Sequence, residues 1–278
     1  MNKAIPGSRR EALELLAIGG GPVVAGGTDL MVKRRRWAGV SPAIAEGAVY
    51  VANLSELSRI RVDAGLVEIG ATATLSQLLV HPLVPALLKA AIRVTASPGI
   101  RNAATLAGNL ANASPAADPA LALACLDAVV RLESASGVRT VPVVGFSTGP
   151  GKTVLRPDEL ITAILVPSDD GATVRFEKVG GRKADAIAKV AFAGFVKVDD
   201  GVVTRFSVAF GAVGPTVVRD AKIEESATGL SLEELKRQLP RIRETYGVAI
   251  RPIDDQRSTA DYRRTVALNL LSDFIGSL

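Results

Sequence analysis

Two short glycine-containing stretches carry the residue types best suited to chemistry. The first, Val23-Val24-Ala25-Gly26-Gly27-Thr28-Asp29-Leu30, follows Gly21 and comes close to the phosphate-loop pattern G-x-x-x-x-G-K-[ST]. Gly27 stands where that pattern has its lysine, and an apolar strand, residues 22–25, falls inside the supposed loop. The geometry and the chemistry of nucleotide hydrolysis both fail, and a G-x-G-x-x-G fingerprint is not met either. What remains is an anion site of neutral groups. Ala25-Gly26-Gly27 lets backbone amides approach a phosphate because glycine has no Cβ to obstruct it. A short helix after Thr28, with Thr28 as its cap, adds N–H donors and a favourable dipole. A tight strand–helix turn with no ligand is the other reading of this loop taken alone.

The second stretch, Thr105-Leu106-Ala107-Gly108-Asn109, offers a hydroxyl and an amide that bond phosphate oxygens without adding charge. Asp118 suits sugar hydroxyls and would repel phosphate. Two neutral, amide-rich loops on one diphosphate need no lysine, which suits a cofactor that is held and never hydrolysed. Other chemistry is scarce. Cys125 is the single cysteine and lies in the apolar run ALALACLDAVV, where a buried, inert thiol is expected. It excludes an internal disulfide and a cysteine-ligated cluster or zinc site within this chain. The single histidine, His81, precedes Pro82 and reads as a loop or cap residue; a catalytic triad or dyad built on it is not expected, and histidine-rich metal sites are excluded. A redox or group-transfer role therefore needs an organic cofactor.

Lysine plus arginine exceed aspartate plus glutamate by 33 − 28 = +5 over 278 residues. The densest basic run, Lys33-Arg34-Arg35-Arg36, is followed by Trp37. With 4% aromatic residues and no DNA- or RNA-binding module, it fits a solvated helix face or a contact with an acidic partner chain better than a nucleic-acid footprint. No apolar run approaches the roughly 20 residues that span a bilayer. The charged N-terminal sequence MNKAIPGSRREALELL lacks a signal peptide's apolar stretch, so a cytoplasmic protein without membrane or nucleic-acid partners is expected.

These loops must be positioned by an α+β framework. Helical spacing predicts a helix over residues 9–18, stopped by Gly19-Gly20-Gly21, then short strands at 22–25 and 48–52. Residues 60–62 and 66–71 flank Asp63-Ala64-Gly65, a hairpin signal. Helices follow at 74–79 and 83–95, and residues 97–119 read as a long irregular loop of the kind that is usually functional. The apolar run 120–130, a turn at 134–137 and a strand at 160–166 close this region. Beyond a linker at 168–171, strands at 173–179, 189–198 and 202–213 surround the Asp199-Asp200-Gly201 turn. The rest is helical, with Ser231 and Glu234 in a capping box. The second part is thus a small antiparallel sheet with helices on one side.

The quoted segments also carry a family likeness. AGGTDL (25–30), IRNAATLAGNLANASPAAD (100–118), GKTVLRPDELITAILVP (151–167), FEKVGGRKADAIAKV (176–190), GAVGPTVVRDAKIEESATG (211–229) and DQRSTADYRR (255–264) resemble the FAD-binding medium subunit of molybdenum hydroxylases. That family includes carbon monoxide dehydrogenase and the flavin domain of xanthine dehydrogenase. The blocks are collinear and cover nearly the whole chain. The resemblance implies a two-part FAD-binding domain of the vanillyl-alcohol oxidase and p-cresol methylhydroxylase type over 1–167, with subdomains about 1–55 and 56–167. A smaller domain of the CO dehydrogenase flavoprotein C-terminal type would cover 172–278. By the same resemblance, the amides of Val23 to Leu30 and of Thr105 to Asn109, Gly108 included, would embrace the FAD diphosphate. Asp118 would contact a ribose and the backbone of Ile161 would touch the cofactor. Lys178 would lie near the isoalloxazine edge, where a cation favours the reduced, anionic form. Arg182 and Asp185 would lie beside the ring, a plain surface ion pair being the alternative for these charged residues. Ala107 departs from the TIGGN form of the second loop, and its methyl is tolerated only where φ is not positive.

The implied role is an electron-transfer subunit with no catalytic residue or metal of its own. Molybdopterin and [2Fe–2S] centres would sit on a large and a small partner subunit, in a dimer of heterotrimers. The alternatives are a self-contained flavoenzyme such as a UDP-N-acetylenolpyruvoylglucosamine reductase, or a cofactor-free scaffold.

Overall fold

The computed structural model describes residues 4–37, 40, 47–182 and 185–278. The chain forms two compact units that interleave along the sequence. The first comprises Met1–Val84, Ser97–Ala113 and Ala128–Val166; the second comprises Pro85–Ala96, Ser114–Asp127 and Pro167–Leu278.

In the first unit, Ser8 opens the helix Arg9–Ala17 by accepting the Glu11 amide on its hydroxyl. The helix buries Ala12 and Leu16, four residues apart on one face, in a cluster with Val49, Val51, Leu54, Leu57 and Leu160. Two such fully buried aliphatic side chains as Leu16 and Val49 each contribute about 1.5–3 kcal/mol. Strand Val23–Val24 pairs in parallel with Val49–Tyr50 and leads into the helix Thr28–Lys33. A five-stranded sheet follows, in the order Ile60–Asp63, Leu66–Gly70, Leu160–Pro167, Val129–Ser134, Gly137–Pro142. The hairpin between its first two strands is the expected one. Ala64 and Gly65 both have positive φ, as a two-residue turn matched to the strand twist requires. Thr74 opens the helix Leu75–Val80 with a full capping box to Gln77, and His81 closes it as a cap residue.

Two expectations are corrected here. Thr28 is the first helical residue and not the cap: Gly27 occupies that position with φ +69°, and no side chain caps the helix. Residues 97–119 are mostly helical rather than irregular, forming Pro98–Arg101, Leu106–Asn112 and the start of Asp118–Cys125. Ser97 and Thr105 cap the first two by accepting the amides of Ile100 and Gly108. The many alanines and leucines, strong helix formers, fill the turns between these caps.

The second unit holds an antiparallel sheet of Ala172–Val179, Val190–Asp199 and Val202–Gly211. Helices Ala86–Arg93 and Asp118–Cys125 belong to it, as do Ala221–Ala227, Leu232–Arg237, Leu239–Ala249 and Ala260–Ser277. The anticipated Ser231–Glu234 capping box is present. Its core is a run of edge-on rings: Phe192 lies 5.4 Å from Phe210 and 5.5 Å from Phe274, and Phe210 lies 5.1 Å from Tyr246. Arg219 fixes the helix that begins at Asp118. Its guanidinium donates to the Ala124 carbonyl at the far end of that helix, to Asp127, and to both oxygens of Glu224 at 2.6–2.9 Å. Cys125 is fully buried and its thiol donates to the Ser207 carbonyl. Burial pushes that thiol up to about 12, which leaves it protonated and inert.

Candidate cofactor-binding site

The first glycine loop owes its shape to what stands behind it. A Cβ on Gly26 would come within 2.0 Å of the Ala103 carbonyl oxygen and 3.0 Å of Ala104 Cα. The first stretch therefore lies against Ala103 and Ala104, the residues that lead into the second, with glycine as the only residue that fits between them. Gly27 in the left-handed region then turns the chain into the helix Thr28–Lys33. Among the described residues, none accepts a hydrogen bond from the amides of Gly26, Gly27, Thr28 or Asp29. Successive unpaired N–H groups at such a turn form a concavity for an anion. Lys33 Nζ donates to Asn112 Oδ1, a tie between the ends of the helices Thr28–Lys33 and Leu106–Asn112 that sequence reasoning missed.

In the second stretch, Thr105 is buried and caps the helix Leu106–Asn112, its Oγ1 accepting the Gly108 amide at 3.0 Å. That amide is thus already engaged, and what Thr105 has left to offer is its hydroxyl proton. Asn109 carries a buried Oδ1 that, among the described residues, has no partner. Ala107 is helical with ordinary negative φ, which is why a methyl is accommodated where relatives of the TIGGN form have glycine. The backbone of Ala104 is held in turn by the Leu75 amide, 2.9 Å from its carbonyl oxygen.

Ile161 is buried in strand Leu160–Pro167 and pairs with Leu132. The register shifts beside it, where Ala163 pairs with Arg131 and Thr162 is the extra residue. Such bulges re-aim neighbouring groups and gather near functional sites. Thr162 Oγ1 donates to Glu133 at 2.9 Å. No sequence pattern signalled this bulge.

In the second unit, Asp118 and Lys178 form one buried pair. Lys178 Nζ lies 2.6 Å from Asp118 Oδ2 and 3.1 Å from the Val94 carbonyl, and both side chains are more than nine-tenths buried. Burial raises the Asp118 carboxyl to about 6, against the opposing pull of the Lys178 charge and of hydrogen bonds from Lys178 and Thr95. Asp118 Oδ1 is buried and has no partner among the described residues, so one acceptor remains for an incoming hydroxyl. Arg182 and Asp185 are exposed and face each other: the guanidinium Nε donates to the Asp185 carbonyl at 2.8 Å, and the charges lie 3.5 Å apart. Asp185 has φ +51°.

Comparisons with known proteins converge. Residues 1–169 match the family described as the FAD binding domain in molybdopterin dehydrogenase, and residues 175–278 match the CO dehydrogenase flavoprotein C-terminal domain. The chain is 36% identical over 235 residues to the nicotinate dehydrogenase FAD-subunit of Eubacterium barkeri, covering 80% of this chain and 77% of the relative. It is 31% identical over 272 residues to the carbon monoxide dehydrogenase medium chain of Hydrogenophaga pseudoflava, covering 94% and 91%. The fold superposes on a chain of a crystal structure of Cu,Mo-CO dehydrogenase with a TM-score of 0.87 and 26% identity, covering 98% of this chain and 95% of that one.

Proposed function

Since the chain belongs to the FAD-binding family of molybdopterin dehydrogenases, we propose that it is the flavin-carrying electron-transfer subunit of such an enzyme, and that its two glycine stretches hold the pyrophosphate of FAD. The observation that carries this reading is the first stretch wedged at Gly26 against Ala103 and Ala104, which lead into the second, with four amides from Gly26 to Asp29 that have no partner among the described residues. The residues fit the group. A diphosphate accepts from the backbone of Val23 to Leu30, from the Thr105 hydroxyl and from the Asn109 side-chain amide. No cation is needed, because nothing has to stabilise a leaving group. Asp118 Oδ1, without a partner among the described residues, suits a ribose hydroxyl. Ile161 contributes its backbone, Lys178 with Asp118 a buried charge pair, and Arg182 and Asp185 the exposed segment assigned to the ring's surroundings.

When bound, the flavin supplies one- and two-electron chemistry that no side chain here can supply. The chain's own task is to bind it, orient it and set its electrostatic surroundings. The relatives are an FAD-subunit and a medium chain; by analogy, electrons arrive from [2Fe–2S] clusters on a small subunit, and a large subunit bears the molybdopterin. A dimer of heterotrimers in the cytoplasm is the proposed assembly. These relatives lend no support to a self-contained nucleotide-sugar reductase. The test is direct: purified protein is yellow and releases FAD on denaturation, and the stripped protein takes up FAD stoichiometrically. Well-folded protein that neither contains nor takes up FAD refutes the proposal.

A further inference from the structure

The helix that follows the first glycine loop is unusual in what it leaves uncovered. Thr28–Lys33 buries no residue at all, and every position from Met31 to Trp37 is exposed. Val32 is 72% and Trp37 88% exposed, in a protein with one tryptophan. Between these apolar groups stand Lys33, Arg34, Arg35 and Arg36. Lys33 is tied to Asn112, but among the described residues no carboxylate pairs with the three arginines. Consecutive like charges repel, and a bare indole in water forgoes a large burial. An apolar spot rimmed by charge marks a protein interface.

We infer that residues 31–37 form a docking surface for another subunit of the enzyme, one that presents carboxylates around an apolar recess receiving Trp37. The inference rests on the proposed role as one subunit of a complex. The charge decides among occupants. A two-fold contact with a second copy would lay arginines against arginines, since an isologous interface sets each patch against itself. A polynucleotide would satisfy the arginines and stack a base on Trp37, but it would leave Val32 uncovered, and the run offers one aromatic side chain instead of the series on which successive bases stack. An acidic protein surface answers both features, and its field would also speed and orient the encounter.

The experiment uses the assembled enzyme purified through a tag on this chain. A photo-crosslinking p-benzoylphenylalanine replaces Trp37, and the crosslinked peptides are identified by mass spectrometry. The expected product joins position 37 to a different subunit, within a carboxylate-bearing segment. In parallel, Arg34→Glu with Arg36→Glu is expected to weaken reassociation of separated subunits by about tenfold or more and to flatten its salt dependence. Flavin content and the thermal melt of the separated subunit are read on the same samples. Unchanged values there show that the loss lies in docking and not in folding. Crosslinks to a second copy of this chain, an intact complex with no crosslink from position 37, or unaltered association of the charge variant overturn the inference. So does binding of the wild-type subunit to anionic vesicles or polynucleotide that the charge variant loses while subunit assembly is unaffected. Protein that binds no FAD yet crosslinks as described would refute the flavin reading alone.

Discussion

Gly26→Ala tests the wedge between the two glycine stretches most sharply. The added methyl carbon would sit 2.0 Å from the Ala103 oxygen, whereas real Cβ contacts stay beyond 3.0 Å, so the stretches must part by about 1 Å at least. Backbone against backbone leaves no flexible side chain to yield. Overpacking of this kind costs about 1–3 kcal/mol of stability, which lowers the melting temperature by roughly 2–4 °C per kcal/mol at this chain size. The larger effect falls on the cofactor. Amide-to-phosphate bonds have a narrow range of about 2.7–3.2 Å, and each one to a charged group is worth about 1.5–3 kcal/mol. Losing two weakens FAD binding by about 100-fold or more, at about 1.4 kcal/mol per factor of ten. Titration of the stripped protein, followed by quenching of flavin fluorescence, reads the affinity; calorimetry reads the melt. Gly27→Ala is the control. Its Cβ would meet only Met31 Cγ at 3.5 Å and Val24 Cγ1 at 3.7 Å, ordinary contacts, so the penalty is the φ of +69° alone, about 1–2 kcal/mol. A Gly26→Ala protein that binds FAD within a factor of two of the wild type, or no worse than Gly27→Ala, would refute the wedge and its role.

Further outcomes can be checked on the same protein. Lys178→Met leaves Asp118 buried without its cation, and calorimetry should show a loss of about 3–5 kcal/mol. The pH dependence has a definite sign. Asp118 is raised in the folded state from its ordinary 3.8 to about 6, so the native protein binds its proton more tightly than the unfolded chain. Its burden on stability is fully present above about pH 6 and is relieved as pH falls toward 4. The melting temperature of the wild type should therefore rise relative to Asp118→Asn across that window, and a difference that stays flat contradicts the assignment. Cys125 should resist thiol reagents in the native protein and react once per chain after denaturation, as its burial and raised pKa require.

The periodic elements were legible in the sequence because local rules govern them. The helix after Ser8, the two hairpins with glycine at their turns, the three long strands of the second sheet and the Ser231 capping box all follow from spacing and turn chemistry. The stretch 97–119 was misread because small and polar residues resemble a loop, while Ser97 and Thr105 in fact serve as caps for short helices. Thr28 was misread for a related reason: a threonine beside a helix start resembles a cap, but Gly27 alone adopts the backbone needed there. The two loops were recognisable as a set. Their contact at Gly26 and Ala103 was not, since it joins residues far apart in sequence through backbone atoms that leave no pattern. The pairing of Asp118 with Lys178 is long-range in the same way.

That pairing changes what the charged residues assigned to the proposed cofactor can do. Read singly, Lys178 is a cation that would favour an anionic flavin, and Asp118 is an acceptor for a sugar hydroxyl. At 2.6 Å the two are one dipole with no net charge. A dipole's influence falls off faster with distance than that of a lone ammonium, so the electrostatic bias from Lys178 is smaller than its formal charge suggests. The gain is in geometry. Asp118 and the Val94 carbonyl engage two of the three ammonium hydrogens, and the carboxylate also takes a hydrogen bond from Thr95; among the described residues Oδ1 has no partner, which leaves Oδ1 and one N–H. A hydroxyl is both donor and acceptor, and a fixed acceptor beside a fixed donor is the arrangement that recognises one. The buried pair is therefore better suited to holding a sugar hydroxyl in place than to setting a potential by charge. The consequence is measurable: Lys178→Arg, which preserves the charge but not the ammonium's shape, should weaken FAD binding, whereas a residue acting through charge alone would tolerate it.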